Sequence, residues 1–315
     1  MKNKKIVIDT LGADMPPAEI CEGIKLNNSK DYHFVVVGPK DEIEKVLNNS
    51  DLSYEIIDTF DYISNKENPI SIIRNRESSS LYLALANTKK DDTIGLISAG
   101  STGAIMVGSM FILGLEENLQ SAILACVLYK FNHQPFCLVD CGANVNPLPT
   151  DMKVFAELGS KFMKSYSNIT NPKVGLLSVG KEKGKGNELV KKAYELLENS
   201  DINFIGNIEI DNVFNSDVDV LVCDGFSGNL LLKNTEAIAL MISEKIVKKY
   251  CTNKEDLEKI NNSIFKLFAY NDQAGAILLG VKKLVIKVHG KANRLTISSA
   301  INQLIALNDG GYNNK

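Results

Sequence analysis

The chain has 315 residues, 44% apolar and 23% charged, with 35 Lys+Arg against 38 Asp+Glu and a formal charge of −3. That length suits one large α/β domain or two lobes sharing a core. The slightly acidic balance argues against general nucleic-acid binding, which needs a basic excess. Six cysteines without a CxxC pair, and three histidines, argue against a disulfide framework and a structural zinc site, so reduced and mostly buried thiols are expected.

The start "MKNKKIVIDT" runs from a few basic residues into a strand with no signal-peptide pattern, and no apolar run reaches membrane-spanning length. A cytoplasmic protein is expected. "KIVID" reads as a strand, and Pro16 and Pro17 open a helix from Ala18 to about Leu26. "HFVVVG" and "YEIID" read as strands around the helix "DEIEKVLNN". "SSSLYLALANTKK" is helical, "TIGLIS" a strand and "TGAIMVGSMFILG" an apolar helix. This rhythm predicts a mostly parallel sheet with helices on both faces.

The middle changes character. "SAILACVLYKF" and "QPFCLVD" are separated by only Asn132-His133, which predicts a hairpin and some antiparallel pairing. Alternation then resumes with "MKVFAELGSKFMKSY" (helix), "KVGLLSV" (strand), "NELVKKAYELLEN" (helix), then "NFIGNI" and "VDVLVCD" (strands). A long helical region from about Asn229 to Phe268 breaks near "CTNKED", giving a helical hairpin at about 235–268 on an otherwise single domain. "GAILLG" and "KLVIKVHG" supply closing strands and "NRLTISSAINQLIAL" a last helix. No internal repeat is visible.

Strand after strand ends in a turn of small and polar residues. In a doubly wound sheet, ligands sit beyond the carboxyl ends of the strands. Helices that begin there offer free N–H groups to anions. "SAGSTGA" puts Ser98, Ser101 and Thr102 beside Gly100 and Gly103, and "VDCGANV" offers Asn144. "SVGKEKGKGNE" offers Lys181, Lys183, Lys185 and Asn187, and "CDGFSGNLLLK" offers Asp224, Ser227 and Asn229. Lys287 and His289 end a late strand in "VIKVHGKAN", and "DTLGADMPP" places Asp9 and Asp14 around Gly12. Neither a GxxxxGK[ST] loop nor a GxGxxG fingerprint occurs, so free phosphate or a phosphorylated small molecule suits these turns better than a dinucleotide.

At these residues the sequence resembles the bacterial phosphate acyltransferase (PlsX) family of phospholipid synthesis. Nine blocks carry the resemblance in order: "DTLGADMPP", "RNRESSSL", "SAGSTGA", "DCGANV", "NPKVGLLSVGKEKGKGNE", "INFIGNIE", "VCDGFSGNLLLK", "AGAILLG" and "IKVHGKAN". The resemblance implies a Rossmann-like three-layer α/β/α fold akin to isopropylmalate dehydrogenase and phosphotransacetylase. It also implies a cytosolic homodimer, loosely membrane-attached, that uses no cofactor or metal. The implied reaction transfers an acyl group from acyl-[acyl carrier protein] to phosphate, and the acyl phosphate passes to an acyltransferase at the membrane. The chain departs from the family pattern at Ala13, Asp58-Thr59, Arg76-Glu77-Ser78, Ser101, Gln120-Ser121, Lys181 and Ala274.

Within that reaction, the "SAGSTGA" and "GFSGN" amides with Lys185 are expected to hold the anions. Asn229 or Asn144 is expected to stabilise the oxyanion. His289 or Lys185 is the candidate proton donor to the leaving sulfur. Direct attack by phosphate is favoured over an acyl-enzyme on Cys141 or Cys223, which read as small core thiols. An acidic carrier calls for a basic face, drawn from the lysines of "GKEKGKG", "EKIVKKY" and "GVKKLVIKVHGKANR". The polar hairpin tip "YCTNKEDLEK" predicts weak membrane contact. Alternatives are a non-catalytic anion- or carrier-binding member of the fold, a phosphotransacetylase-like enzyme, or an NAD-dependent dehydrogenase.

Overall fold

Contacts within the chain separate two compact units, Met1–Ala122 with Asn271–Lys315, and Ile123–Tyr270. The computed structural model describes residues 4–251, 253–268 and 275–312. Ala274 and the end of the "SIFKLFAY" run therefore lie outside the described residues.

The first unit starts with β1 (Lys5–Asp9), α1 (Pro17–Asn27), β2 (His33–Gly38), α2 (Lys40–Leu47) and β3 (Ser53–Asp58). Pro17 takes a first-turn position of α1, where its missing N–H costs nothing, and Asn28 closes the helix at φ 52°. The chain continues through α3 (Ser71–Arg74), α4 (Ser80–Thr88), β4 (Thr93–Ser98) and α5 (Thr102–Gly108). The strands lie in the order β3-β2-β1-β4, all parallel. The chain steps outward from β1 to β3, then returns across β1 to β4. Right-handed crossovers therefore put α1 and α2 on one face and α4 on the other.

The C-terminal part of the chain completes this unit with β10 (Ala276–Leu279), β11 (Leu284–Lys287) and α11 (Arg294–Asp309). β11 is parallel to β4, and β10 antiparallel to β11. α11 packs on α1, and α4 packs on β1, β2 and β4. Ile6, Val7, Ile8, Phe34, Leu96 and Ile97 are fully enclosed between them. In register, Ser98 faces Asp9 on one side and Lys287 on the other, so three candidate-bearing strand ends form one row.

The second unit contains β5 (Ile123–Tyr129), β6 (Pro135–Val139), α6 (Pro149–Ser167), β7 (Val174–Ser178), α7 (Glu188–Glu198), β8 (Phe204–Glu209) and β9 (Val220–Val222). Its strand order is β5-β6-β9-β7-β8. β5 and β6 are antiparallel and turn at Asn132-His133, with His133 at φ 64°, as the short connection predicts. The other strands of this unit are parallel.

A long helix, α8 (Gly225–Met241), continues through a π-type stretch at Ile242–Val247 into α9 (Lys248–Tyr250), and α10 (Lys254–Phe268) returns. The arms meet where the Ser243 hydroxyl donates to Asn261 Oδ1 at 2.8 Å.

Three features depart from the sequence expectation. α8 begins four residues before Asn229. The apolar helix after Gly103 changes to π-type winding at Ser109–Leu113. Short helical turns at Ser71–Arg74 and Ile210–Asn215 were not anticipated. Cys21, Cys126, Cys137, Cys141 and Cys223 are buried free thiols, and Cys251 is half-buried.

Candidate active site

In the second unit the site is built around a buried carboxylate. Asp140 follows β6 with its side chain enclosed. Its Oδ1 accepts the N–H groups of Leu124 (3.1 Å), Gly142 (3.2 Å) and Ala143 (3.1 Å). Its Oδ2 accepts both the backbone N–H of Asn144 (2.5 Å) and its side-chain amide (2.9 Å). Burial pushes the Asp140 carboxyl above its ordinary range, and the bonds from Ala143, Asn144 and Leu124 reduce that rise without cancelling it. The loop Asp140–Asn144 is thus folded around one carboxyl group of its own, and the amide of Asn144 is directed at Asp140.

The start of α8 is pressed onto this loop. The Gly225 N–H donates to the Asn144 carbonyl at 2.8 Å. A Cβ at Gly225 would stand 2.9 Å from the Asn144 nitrogen, and one at Gly228 only 2.0 Å from the Asp140 carbonyl oxygen. Backbone cannot yield at such distances, so both positions require glycine. The next residue, Asn229, lies over Gly142, whose added Cβ would be 3.6 Å from that of Asn229. The glycines therefore bring Asn144 and Asn229 onto one loop.

Asp224 caps α8, accepting the Ser227 N–H at 2.9 Å and the Ser227 hydroxyl at 2.7 Å. Two residues expected to hold an anion are thus bonded to each other. Asn187 caps α7, its Oδ1 accepting the Val190 N–H at 2.9 Å. Lys185 folds over Gly180, where a Cβ would meet its Cγ at 2.8 Å.

Met152, Ser178, Gly186, Asn187, Asp224 and Ser227 border a cavity of about 450 Å³. Leu177, Val179, Val190, Ile210 and Cys223 complete its apolar wall, with Glu209 and Asp211 also at its lining. The Ser178 hydroxyl is enclosed there with no hydrogen-bond partner among the described residues.

The first unit holds the remaining candidates. Asp9 is buried at the end of β1, accepting from the Ser98 hydroxyl at 2.8 Å and the Leu11 N–H at 3.2 Å. Burial raises its carboxyl to about 6, against lowering bonds from Ser80, Ser98 and Leu11. Gly100 donates its N–H to the Ser98 hydroxyl at 3.1 Å. Gly12 turns at φ 74° so close to Gly100 that a Cβ would lie 3.2 Å from the Gly100 Cα. Ser101 precedes α5 without capping it through its side chain, and Thr102 is the first helical residue. Gly103 lets the helix approach Pro69, whose Cγ would be 2.6 Å from a Cβ.

After Lys287, the Val288 N–H donates to the Ser98 carbonyl at 3.0 Å. His289 Nδ1 accepts the Lys291 N–H at 3.1 Å, so in the neutral ring the proton sits on Nε2. Asp14 lies against this turn, its N–H bonded to the Gly290 carbonyl at 2.8 Å.

Several expected surface cations are engaged by groups of the same chain. Lys283 donates to the carbonyls of Lys90 (3.0 Å) and Thr93 (2.9 Å), and burial holds its ammonium below its ordinary range. Lys183 pairs with Glu198, Lys248 with Glu244, and Arg294 with Glu19. At Arg76-Glu77-Ser78, where the chain departs from the family pattern, Arg76 pairs with Asp61 and Glu67. Ser78 donates to Asp61 at 2.7 Å.

The sequence marks Asp140 only as a turn residue at the end of an apolar run, and gives no site signal at Glu209 or Asp211. A signal for Asp140 was present: an Asp directly after a buried strand and before Cys-Gly-Ala-Asn can reach the N–H groups two to four residues on.

The fold and the sequence both have known counterparts. A phosphotransacetylase from Streptococcus pyogenes superposes with a TM-score of 0.64 at 17% identity, over 100% of this chain and 95% of that one. A branched-chain phosphotransacylase from Enterococcus faecalis gives 0.63 at 12%, over 96% and 98%. A 4-hydroxythreonine-4-phosphate dehydrogenase from Klebsiella pneumoniae gives 0.58 at 12%, over 96% and 99%. At these identities the likeness is one of fold.

The sequence is 37% identical to a phosphate acyltransferase of Clostridium tetani over 98% of this chain and 96% of that protein. It is 36% identical to one of Bacillus cereus, over 95% and 93%. The family model described as "Fatty acid synthesis protein" matches residues 4–315. With its sheet, its glycine-seated loops and almost every residue aligned to such relatives, the chain belongs to the fatty acid synthesis protein family.

Proposed function

We propose that this protein is a phosphate acyltransferase that forms acyl phosphate from an acyl thioester of acyl carrier protein and inorganic phosphate. The observation that carries the reading is the 37% identity to a phosphate acyltransferase along 98% of the chain. A phosphate oxygen attacks the thioester carbonyl, an oxyanion forms, the carbon–sulfur bond breaks, and the thiolate departs with a proton.

Asn229 donates to the oxyanion. What supports it over Asn144 is that the Asn144 side-chain amide is directed at Asp140. One such donor contributes about 3 kcal/mol to the transition state. Lys185 neutralises phosphate. In the first unit, the Lys291 N–H on Nδ1 leaves the His289 ring proton on Nε2, which gives that nitrogen the sign of a donor. Direct attack is supported by the buried Cys141 and Cys223 thiols, which burial drives well above the ordinary thiol range.

The working form is a homodimer that receives an acidic carrier and makes weak peripheral contact with membrane. No helix among the described residues is long and apolar enough to cross one. The test is release of carrier thiol with and without phosphate, alongside detection of acyl phosphate. Thiol release that does not depend on phosphate rejects the reading.

A further inference from the structure

The cavity in the second unit does not have the chemistry of a phosphate site. Its wall is apolar, from Met152, Leu177, Val179, Val190 and Ile210. Its charged lining is acidic: Glu209, Asp211 and Asp224. The N-terminus of α8, which would otherwise attract an anion, is capped by the Asp224 carboxylate, so a second anion there meets like charge. An uncharged, apolar ligand meets neither penalty. Size agrees, since about 450 Å³ lies within the roughly 300–1,000 Å³ of small-molecule pockets.

Two further observations point to an open-ended apolar path. Val179 and Ile210 line the cavity yet are 81% and 55% exposed, so apolar surface continues from the interior to the mouth. Asp224 and Ser227 border the cavity in the first turn of α8, the helix that carries Asn229, so the cavity reaches the same helix start as the proposed oxyanion donor.

We infer that this cavity takes the hydrocarbon chain of the acyl substrate, with phosphate held elsewhere. The inference rests on the acyl-transfer reading above and names the substrate portion bound in the second unit. The thioester carbonyl sits at the Ser227–Asn229 end, and the chain runs along Val190, Leu177 and Ile210. The enclosed Ser178 hydroxyl, with no partner among the described residues, marks a polar point on that wall. Phosphate is met by Lys185, which folds over Gly180.

The test uses Val179→Trp and Ile210→Trp, both at exposed positions where a larger side chain need not disturb the core. Rates are measured with palmitoyl- and butyryl-[acyl carrier protein] at varied phosphate. The expected result is a fall in palmitoyl kcat/KM of about tenfold, the equivalent of two methylenes left in water. The fall in butyryl kcat/KM should be several-fold smaller, because a four-carbon chain presents less apolar length to that wall, and the KM for phosphate should stay within about twofold of wild type. A rise in phosphate KM, or equal losses for both chain lengths, overturns the inference and assigns the cavity to phosphate or to the carrier's arm. Wild-type protein inactive with both thioesters would instead overturn the acyl-transfer reading.

Discussion

Gly228 lies so close to Asp140 that a Cβ on it would fall 2.0 Å from the Asp140 carbonyl oxygen. The contact is backbone against backbone, and it sets the distance between the first turn of α8 and the loop that carries Asn144. Gly228→Ala should therefore push the helix off the loop, destabilising the protein by about 1–3 kcal/mol as an overpacked site does. Gly184 is the control, because a Cβ there meets nothing within 4 Å. Thermal unfolding of the two variants is the measurement. Equal melting temperatures would mean that the helix start can shift without cost.

Removal of the amide at Asn229 tests the chemistry rather than the scaffold. Its side chain lies over Gly142 at the loop surface, so Asn229→Ala should leave the melting temperature near wild type. Turnover should fall by about 10²–10³, the loss seen when an oxyanion donor is deleted. Lys185→Ala should cost about 10- to 100-fold, as for a lost bond to a charged group. Its effect should appear mainly in the KM for phosphate. Steady-state rates of acyl phosphate formation decide both, and near-normal turnover in Asn229→Ala would remove that residue from the mechanism.

Asp9 makes stability depend on pH in the reverse of the usual carboxylate sense. Its folded carboxyl titrates at about 6 against an ordinary value of 3.8, with burial as the main cause. Below about pH 4 the group is protonated in both states and its burial carries no charge penalty. Between about pH 4 and pH 6 the unfolded carboxyl ionises while burial keeps the proton on the folded one, so stability is lost across that window and levels off above about 6. Relative to Asp9→Asn, wild type should lose on the order of 3 kcal/mol between about pH 4 and pH 7. Denaturant unfolding of both proteins across that range measures the difference. A constant gap would show that Asp9 stays ionised when folded.

Much of this was legible in the residues. Runs such as "TIGLIS" and "HFVVVG" are buried nearly throughout and bounded by turn residues, so β4 and β2 match their predicted limits. The hairpin followed from having only Asn132-His133 between two apolar runs. The start of α8 was hidden because Gly-Phe-Ser-Gly reads locally as loop. Those glycines are in the helix because of a tertiary contact with Asp140 and Asn144, which no local pattern reports. The loop role of Asp140 was hidden for a related reason: a lone acid after a strand shows its five donors only when the chain has turned. The pairing of Lys283 with the Lys90 and Thr93 carbonyls joins positions far apart in the sequence, so this lysine was counted among surface cations.

The buried thiols give the sharpest separation between direct attack and an acyl-enzyme. Cys141 Sγ lies 3.1 Å from Cys126 Sγ and 3.1 Å from the Leu124 carbonyl, while Cys223 Sγ lies 3.4 Å from the Asp140 carbonyl. Both are enclosed, and burial raises both well above the ordinary thiol range, so neither supplies a thiolate at neutral pH. A serine in either place keeps a donor for the same carbonyl. Cys141→Ser and Cys223→Ser should retain turnover within about threefold, because no nucleophile has been removed. Mass spectrometry of protein quenched during turnover without phosphate should find no acyl adduct on either residue. A loss above about 10³ in one serine variant, with an adduct trapped on the same cysteine in wild type, would replace direct attack by a two-step mechanism.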